Sequence, residues 1–320
     1  MSLPSLTEIE EAAAIVHRHM KPTPEIAWPL LAERLGTRVV VKHENHTPIG
    51  AFKVRGGITY MDSLRREMPD VPGVITATRG NHGQSVARAA TAAGLKATIY
   101  IPHGNSVEKN AAMRAFGAEL VVEGDDFQAC YEACMARAEA EGLHLLASFH
   151  PWLLKGVASY GYELMTAHPD LDVIYVPIGL GSGICSTIAV RDALGLKTEV
   201  VGVVSENAAA YALSFDTGHP VSTNSANTIA DGMACRVPDP AAVAVINAGA
   251  ARIVQVSDEE IKTAMRAYYT DCHQLAEGAG AAPLAAAMQE RAKLGGKTVG
   301  VVLSGGNIDK ELYARVLAEE

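Results

Sequence analysis

The chain has 320 residues, with 48% hydrophobic and 20% charged side chains, enough for one large or two medium folded domains. A formal net charge of −9 without any run of lysine and arginine excludes nucleic acid and anionic membrane as expected partners. The acidic N-terminus lacks the apolar core of a signal peptide, and no apolar run is long enough to cross a membrane. The five cysteines form neither a disulfide pattern nor a zinc pattern. We therefore expect a cytoplasmic protein.

Strand and helix patterns alternate along nearly the whole chain. The first helix is predicted over 8–20, with Thr7 as its N-cap and Glu10 completing a capping box. Short β-branched runs separated by helices predict an α/β fold with parallel sheets buried on both faces. The predicted strands are 38–43, 73–77, 97–101, 119–122, 173–177, 200–204, 252–256 and 298–303, and the predicted helices that follow the first include 52–67, 83–93, 106–116 and 125–141.

The strand–helix units between 50 and 150 predict a smaller domain with a sheet of its own. A second, larger domain would then use residues from both ends of the chain, 1–49 and 151–320. The turn signal at His150 and Pro151 marks the boundary between the two predicted domains.

The first segment with chemical character is 47–57, where Lys53 stands among small and apolar residues at a predicted helix start. Burial lowers the pKa of a lysine amine and makes the amine a nucleophile toward carbonyl groups. Taken alone, the segment is better explained by a lysine that extends from a helix end into solvent.

Three further segments are turns that follow predicted strands. Residues 78–84 (TRGNHGQ) precede a helix whose free N–H groups can hold a carboxylate, although the same residues suit an ordinary capped turn. Residues 179–184 (GLGSGI) suit a phosphate. Glu206 follows the next strand, where a ribose-binding acid would lie, so this segment alone is also compatible with a nicotinamide-dependent oxidoreductase. Residues 304–307 (SGGN) end the last strand, at the sheet edge where α/β proteins bind ligands.

In this order and spacing, the four segments resemble the fold-type II pyridoxal-phosphate enzymes. The nearest members by pattern are the threonine/serine dehydratases, the serine racemases, and the dehydratases of hydroxyaspartate and hydroxyectoine utilization. The resemblance extends from about Pro22 to Asn307 and includes residues 228–232 (TIADG) and Glu277. It implies two open parallel-sheet domains of the tryptophan synthase β-like kind, with pyridoxal 5′-phosphate in the cleft between them. It also implies a homodimer that acts on a small amino acid.

The resemblance implies a role for each segment. Lys53 would form a Schiff base with the cofactor and later move the Cα proton, with Phe52 packed beside it. The other cofactor contacts would come from Asn81 at the 3′-oxygen, from Ser304 at the pyridine nitrogen, and from Gly179, Gly181, Ser182 and Gly183 at the phosphate. The substrate carboxylate would bind to the loop of Thr78, Arg79, Gly80, Asn81 and His82.

The implied reaction is the β-elimination of water from a β-hydroxy amino acid, which gives an imine and then a 2-oxo acid and ammonia. Threonine, serine and 3-hydroxyaspartate are the candidate substrates. A neutral Ser304 need not protonate the pyridine nitrogen, so the ring is a weaker electron sink and loss of a β-leaving group competes better.

Arg79 departs from the family pattern, which has a small serine at this position. A guanidinium cannot act as the second base of a racemase, because it does not give up its proton in proteins. It suits a second substrate carboxylate, which favours 3-hydroxyaspartate, whereas pairing with a protein carboxylate is the alternative. A β-replacement synthase is less favoured, because His82 stands where those enzymes have a threonine.

A divalent cation site, present in many relatives, falls at Glu206 and the carbonyl of Ala210. Ala212 lies where the family has an aspartate, and Asp216 is out of register. With a single carboxylate, binding of Mg²⁺ or Ca²⁺ is less favoured here than in the family.

Overall fold

A computed structural model describes residues 2–319 of the chain. The strands are β1 (Glu25–Ala27), β2 (Arg38–His43), β3 (Gly73–Ala77), β4 (Lys96–Ile101), β5 (Glu119–Val122), β6 (His144–Leu145), β7 (Val173–Pro177), β8 (Glu199–Ser205), β9 (Arg252–Val256) and β10 (Thr298–Leu303). The α-helices are α1 (Leu6–His17), α2 (Pro29–Leu35), α3 (Lys53–Glu67), α4 (Asn81–Ala92), α5 (Val107–Ala115), α6 (Phe127–Glu141), α7 (Pro151–Ala167), α8 (Ser182–Ala193), α9 (Ala210–Thr217), α10 (Pro240–Gly249), α11 (Asp258–Cys272), α12 (Gly278–Gln289) and α13 (Lys310–Ala318). Short 3-10 helices lie at Glu44–His46, Glu206–Ala208, Asp231–Met233 and Arg291–Lys293.

The strands form two sheets. The larger sheet has the order β1-β2-β10-β7-β8-β9, and the smaller sheet has the order β5-β4-β3-β6. Pairing is parallel throughout except at the edge of the larger sheet, where β1 runs antiparallel to β2. Strands from both ends of the chain therefore meet in one sheet, and the strands of the smaller sheet all come from between 73 and 145.

The predicted strands are confirmed, several of them to the residue, because continuous β-branched runs are buried on both faces of a parallel sheet. Two short strands, β1 and β6, were not predicted. Each has only two or three residues, too few to show a periodic pattern.

The predicted start of the first helix is wrong. The N-cap is Ser5 rather than Thr7, and its hydroxyl accepts the N–H of Glu8 while the Glu8 carboxylate accepts the N–H of Ser5. Both candidate pairs have the spacing of a capping box, so the sequence offered two registers. The observed one buries Ile9 and Val16 on the same face of α1.

Helix α3, which begins at Lys53, packs very closely against α7. A Cβ at Gly156 would lie 2.2 Å from the carbonyl oxygen of Arg55, so only glycine permits this approach of the two backbones. Helix α12 is buried along nearly its whole length and packs among residues of the larger sheet. Packing therefore holds α3, which begins at Lys53, and α12, which begins at Gly278, in place.

A network of charged side chains is buried beside α3. The fully buried Arg55 guanidinium donates to Glu44 and to Glu163, each at 2.7 Å. The Lys42 ammonium of β2 donates to Glu163 at 2.6 Å. Because a buried charge without a partner is very costly, this network fixes α3 against β2 and α7.

Within residues 2–319, no helix is both long and apolar enough to span a membrane.

Candidate active site

The segment before α3 lies along the end of β10. The N–H of Phe52 donates to the Ser304 carbonyl at 3.0 Å, and the N–H of Gly306 donates to the Gly50 carbonyl at 2.9 Å. Parallel strands bring their carboxyl ends to one edge of a sheet, where ligands bind in such folds. These backbone bonds therefore place Lys53, the next residue, at that edge.

Lys53 is half-buried, and its ammonium donates to the Ser182 hydroxyl at 3.0 Å. The same nitrogen lies 5.3 Å from the centre of the Phe52 ring. Burial lowers the pKa of Lys53 to about 8. The Ser85 hydroxyl of α4 donates to the Lys53 carbonyl at 2.6 Å, which ties this residue to a third helix.

The glycine-rich turn after β7 leads directly into α8. Gly181 has φ +97°, which favours glycine, and a Cβ there would lie 2.7 Å from the Ala242 Cβ. The helix begins at the buried Ser182, next to the Lys53 amine. Free N–H groups and the helix dipole at this point suit a phosphate.

The turn after β3 leads into α4 in the same way. The Thr78 hydroxyl accepts the N–H of Gly80 at 3.2 Å, and the helix begins at Asn81. His82 is buried, and burial together with the nearby charge of Lys53 lowers the pKa of His82 to about 3. Its imidazole is therefore neutral at physiological pH. Within the described chain, the His82 Nε2 has no hydrogen-bond partner.

Arg79, in the same turn, is exposed. No carboxylate of residues 2–319 forms a salt bridge with its guanidinium. The pairing of Arg79 with a protein carboxylate, which the sequence left open, is therefore not seen among residues 2–319.

Asn81 joins the remaining predicted segments. Its Nδ2 donates to the Glu277 carboxylate at 2.6 Å, and its Oδ1 accepts from the Asn307 Nδ2 at 2.8 Å. The structure thus brings all four sequence segments together, Lys53 to the glycine turn and Asn81 to the segment after β10.

Sequence reasoning assigned no role to Lys109 and Asp231, which form an ion pair beside Glu277, nor to Glu277 itself. Glu277 and Asp231 were noted only within the resemblance. Lys109 gave no signal, because a lysine in the first turn of a helix is usually exposed.

Glu206 is exposed in a 3-10 helix, Ala210 begins α9, and Ala212 is buried in the core. Across the described residues, no three His, Cys, Asp or Glu side chains cluster as a metal site. The cation site at Glu206 and Ala210 stays a prediction.

Known proteins resemble this chain over nearly its full length. The family model described as pyridoxal-phosphate dependent enzyme matches residues 16–305. An L-threonine ammonia-lyase of Geobacter sulfurreducens is 36% identical, over 97% of this chain and 77% of that protein. An L-threo-3-hydroxyaspartate ammonia-lyase of Saccharomyces cerevisiae is 28% identical, over 99% of this chain and 98% of that protein. The structure of maize serine racemase has a TM-score of 0.92 at 25% identity, covering 99% of this chain and 98% of that one.

The chain belongs to the family of pyridoxal-phosphate dependent enzymes. Within that family it is an ammonia-lyase of the dehydratase type, with pyridoxal phosphate as its cofactor and β-elimination from a hydroxy amino acid as its reaction. The predicted fold class, cofactor and reaction type are thereby confirmed, and the reading as a nicotinamide-dependent oxidoreductase is set aside.

The side chains at the site fit this cofactor. An amine with a lowered pKa lies 3.0 Å from a serine at a helix start, where an aldehyde and a phosphate of one molecule can both be held. The buried Ser304 at the end of β10 offers a neutral hydroxyl.

Proposed function

We propose that the carboxyl edge of the larger sheet would hold pyridoxal phosphate, with the Lys53 amine as the group that would bond to its aldehyde. Phe52 packs beside the linkage, Asn81 binds the cofactor's hydroxyl oxygen, and Ser304 binds its pyridine nitrogen. The phosphate is held by the turn of Gly179, Gly181, Ser182 and Gly183. The contact between Lys53 and Ser182 supports this assignment, because it joins the two ends of the cofactor site. When bound, the cofactor supplies electron withdrawal from the substrate Cα.

The chain's own residues then bind the substrate and move its protons. The turn of Thr78, Arg79, Gly80, Asn81 and His82 holds the substrate carboxylate at the start of α4, where backbone N–H groups are free. The Lys53 amine, when it is not bonded to the cofactor, would take the proton from Cα, and its lowered pKa suits a base that works near neutral pH. The neutral His82 adds no charge to the pocket.

The two sheets are the cores of two domains in this proposal, a smaller one of residues 50–150 and a larger one of 1–49 and 151–320. The segregation of strands into two sheets supports this division. The enzyme is a cytoplasmic homodimer in the same proposal, and sedimentation of the holoenzyme as a monomer would contradict the dimer.

The proposed substrate is 3-hydroxyaspartate. The observation that carries this choice is Arg79, an exposed guanidinium in the turn before α4 that has no salt-bridge partner among residues 2–319. A β-carboxylate would give it the bidentate partner that it lacks. The yeast relative named L-threo-3-hydroxyaspartate ammonia-lyase is consistent with this choice. A racemase would need a second base at Cα, and an arginine cannot supply it.

Arg79→Ser should lower kcat/KM for 3-hydroxyaspartate about 10- to 100-fold, the size of a lost hydrogen bond to a charged group. It should leave kcat/KM for threonine and serine nearly unchanged, because neither has a second carboxylate. Ammonia and 2-oxo acid are measured for the three substrates. Arg88→Ser, two turns after the start of α4, is the matched control. The substrate proposal fails if the parent enzyme clearly prefers threonine or serine and Arg79→Ser changes nothing.

Capture of pyridoxal phosphate by the cofactor-free protein should depend on pH with a midpoint near pH 8. Below that pH the Lys53 amine is mostly protonated and cannot attack an aldehyde, and above it the amine is mostly free. The rate at which the visible absorbance band appears is measured across pH 6 to 11. A midpoint near the ordinary lysine pKa of 10.5 would show that Lys53 is not in the buried environment described above.

A further inference from the structure

Lys109 is a buried cation to which the proposed reaction gives no part. It lies in the first turn of α5 and is only 6% exposed. Its ammonium is paired with Asp231 and lies 3.7 Å from the Glu277 Oε2. Lysine is seldom buried to this extent unless its charge is used by a partner.

Glu277 is the partner whose state depends most on that charge. It is buried, and its Oε2 accepts no hydrogen bond within residues 2–319. Burial raises the pKa of Glu277 to about 7, whereas the Lys109 charge acts to lower it and the Asp231 charge acts to raise it. Without Lys109 the carboxyl group would therefore be protonated over a wider pH range.

Hydrogen bonds at both the oxygen and the nitrogen fix the orientation of the Asn81 amide. Its Oδ1 accepts from Asn307, and its Nδ2 donates to Glu277 at 2.6 Å. An amide nitrogen carries two hydrogens, so one donor remains for a ligand. Because the Glu277 carboxyl oxygen accepts from Nδ2, the nitrogen end of the Asn81 amide faces Glu277.

The stem of Lys109 also supports the neighbouring residue of the same turn. A Cβ at Gly80 would lie 2.6 Å from the Lys109 Cδ, so the lysine stem packs directly against the Gly80 backbone. One side chain from α5 thus touches the turn at Gly80 and reaches Asn81 through Glu277.

We propose that Lys109 is a positioning residue whose ammonium holds the Glu277 carboxyl group in place and so fixes the direction in which the Asn81 amide donates to the cofactor's hydroxyl oxygen. This inference rests on the proposed place of Asn81 at the cofactor. A lysine that only stabilised the fold would change the free energy of unfolding and leave the cofactor's spectrum alone.

The test compares the holoenzymes of Lys109→Met, Glu277→Gln, Asn81→Ala and the double variant Lys109→Met/Asn81→Ala. Lys109→Met and Glu277→Gln should each weaken pyridoxal phosphate binding about tenfold, as for a lost hydrogen bond to a charged group. Both should shift the pH midpoint of the visible absorbance band in the same direction. In the Asn81→Ala background, Lys109→Met should add no further change, because its effect passes through Asn81.

Two controls separate positioning from stability. Lys109→Arg keeps the charge and should restore most of the affinity and the band midpoint. Lys293→Met removes another lysine–glutamate pair, that of an exposed lysine with Glu290, outside the four site segments, and should change neither quantity. If Lys109→Met does not fold, Lys109→Gln, which keeps a polar side chain beside Asp231 and Glu277 but removes the charge, takes its place in the same cycle with Asn81→Ala.

The outcomes distinguish the inference from the proposed function. A full effect of Lys109→Met that persists in the Asn81→Ala background overturns the inference alone. The inference also fails alone if Asn81→Ala and Glu277→Gln shift the band while Lys109→Met leaves it unchanged. An Asn81→Ala enzyme with unchanged cofactor affinity and spectrum overturns both, because it removes Asn81 from the cofactor site.

Discussion

Lys53→Ala should abolish β-elimination, with a loss of at least about 10²- to 10⁴-fold from removal of the base alone. The loss should be larger in practice, because the same amine also forms the covalent bond to the cofactor. Borohydride reduction followed by mass spectrometry should find pyridoxal phosphate attached to the parent protein at Lys53 and absent from the variant. Ammonia release is measured in parallel with 3-hydroxyaspartate, threonine and serine.

Lys53→Arg is the matched control for charge. It keeps a cation beside Ser182 but cannot form the covalent bond, so it should be as inactive as Lys53→Ala. Thermal unfolding of the cofactor-free variants should remain close to that of the parent, since burial of the Lys53 charge is unfavourable in the folded state. A Lys53→Ala protein that still carries a borohydride-reducible cofactor would refute the assignment of Lys53.

Arg55→Met should lower the free energy of unfolding by about 3–5 kcal/mol, the cost of leaving buried carboxylates without their cation. Arg55 is fully buried and pairs with Glu44 and Glu163, which are themselves almost completely buried. Denaturant unfolding of the cofactor-free protein measures the change, and an unchanged slope would show that the unfolded states are alike.

Arg137→Met provides the comparison for Arg55. Arg137 also pairs with two carboxylates, Glu119 and Glu141, but both are largely exposed. Its removal should cost about 1 kcal/mol or less, because water screens and replaces such pairs. Equal effects of the two substitutions would mean that the network beside α3 does not hold the fold as described.

Much of the fold could be read from the sequence, because its signals are local. A strand such as β10 is a run of apolar and β-branched residues, and the same residues that make the run also fill the core on both faces of the sheet. Where the local signal is ambiguous, as between Ser5 and Thr7 at the start of α1, packing decides. Strands as short as β6 exist only because a neighbouring strand pairs with them.

The site was predicted in part for the same reason. The turns that carry Lys53, Asn81, Ser182 and Ser304 each follow or precede a recognisable element, and their order and spacing carry the resemblance that implies a role for each residue. The sequence does not predict how deeply each charged side chain is buried. Arg55 lies two residues after Lys53 in a segment where either a buried or an exposed arginine would fit the local pattern.

Local sequence patterns were enough to predict most strands in their order along the chain and the four segments whose resemblance to pyridoxal-phosphate enzymes proposes Lys53 as the cofactor lysine. Packing between remote elements buries Lys109 beside Glu277, brings Glu277 to Asn81, and leaves Arg79 without a carboxylate partner among the described residues. The physical reason is distance along the chain. Glu277 and Asn81 are separated by 196 positions, and contacts of that kind depend on which faces of remote elements pack together rather than on any local pattern.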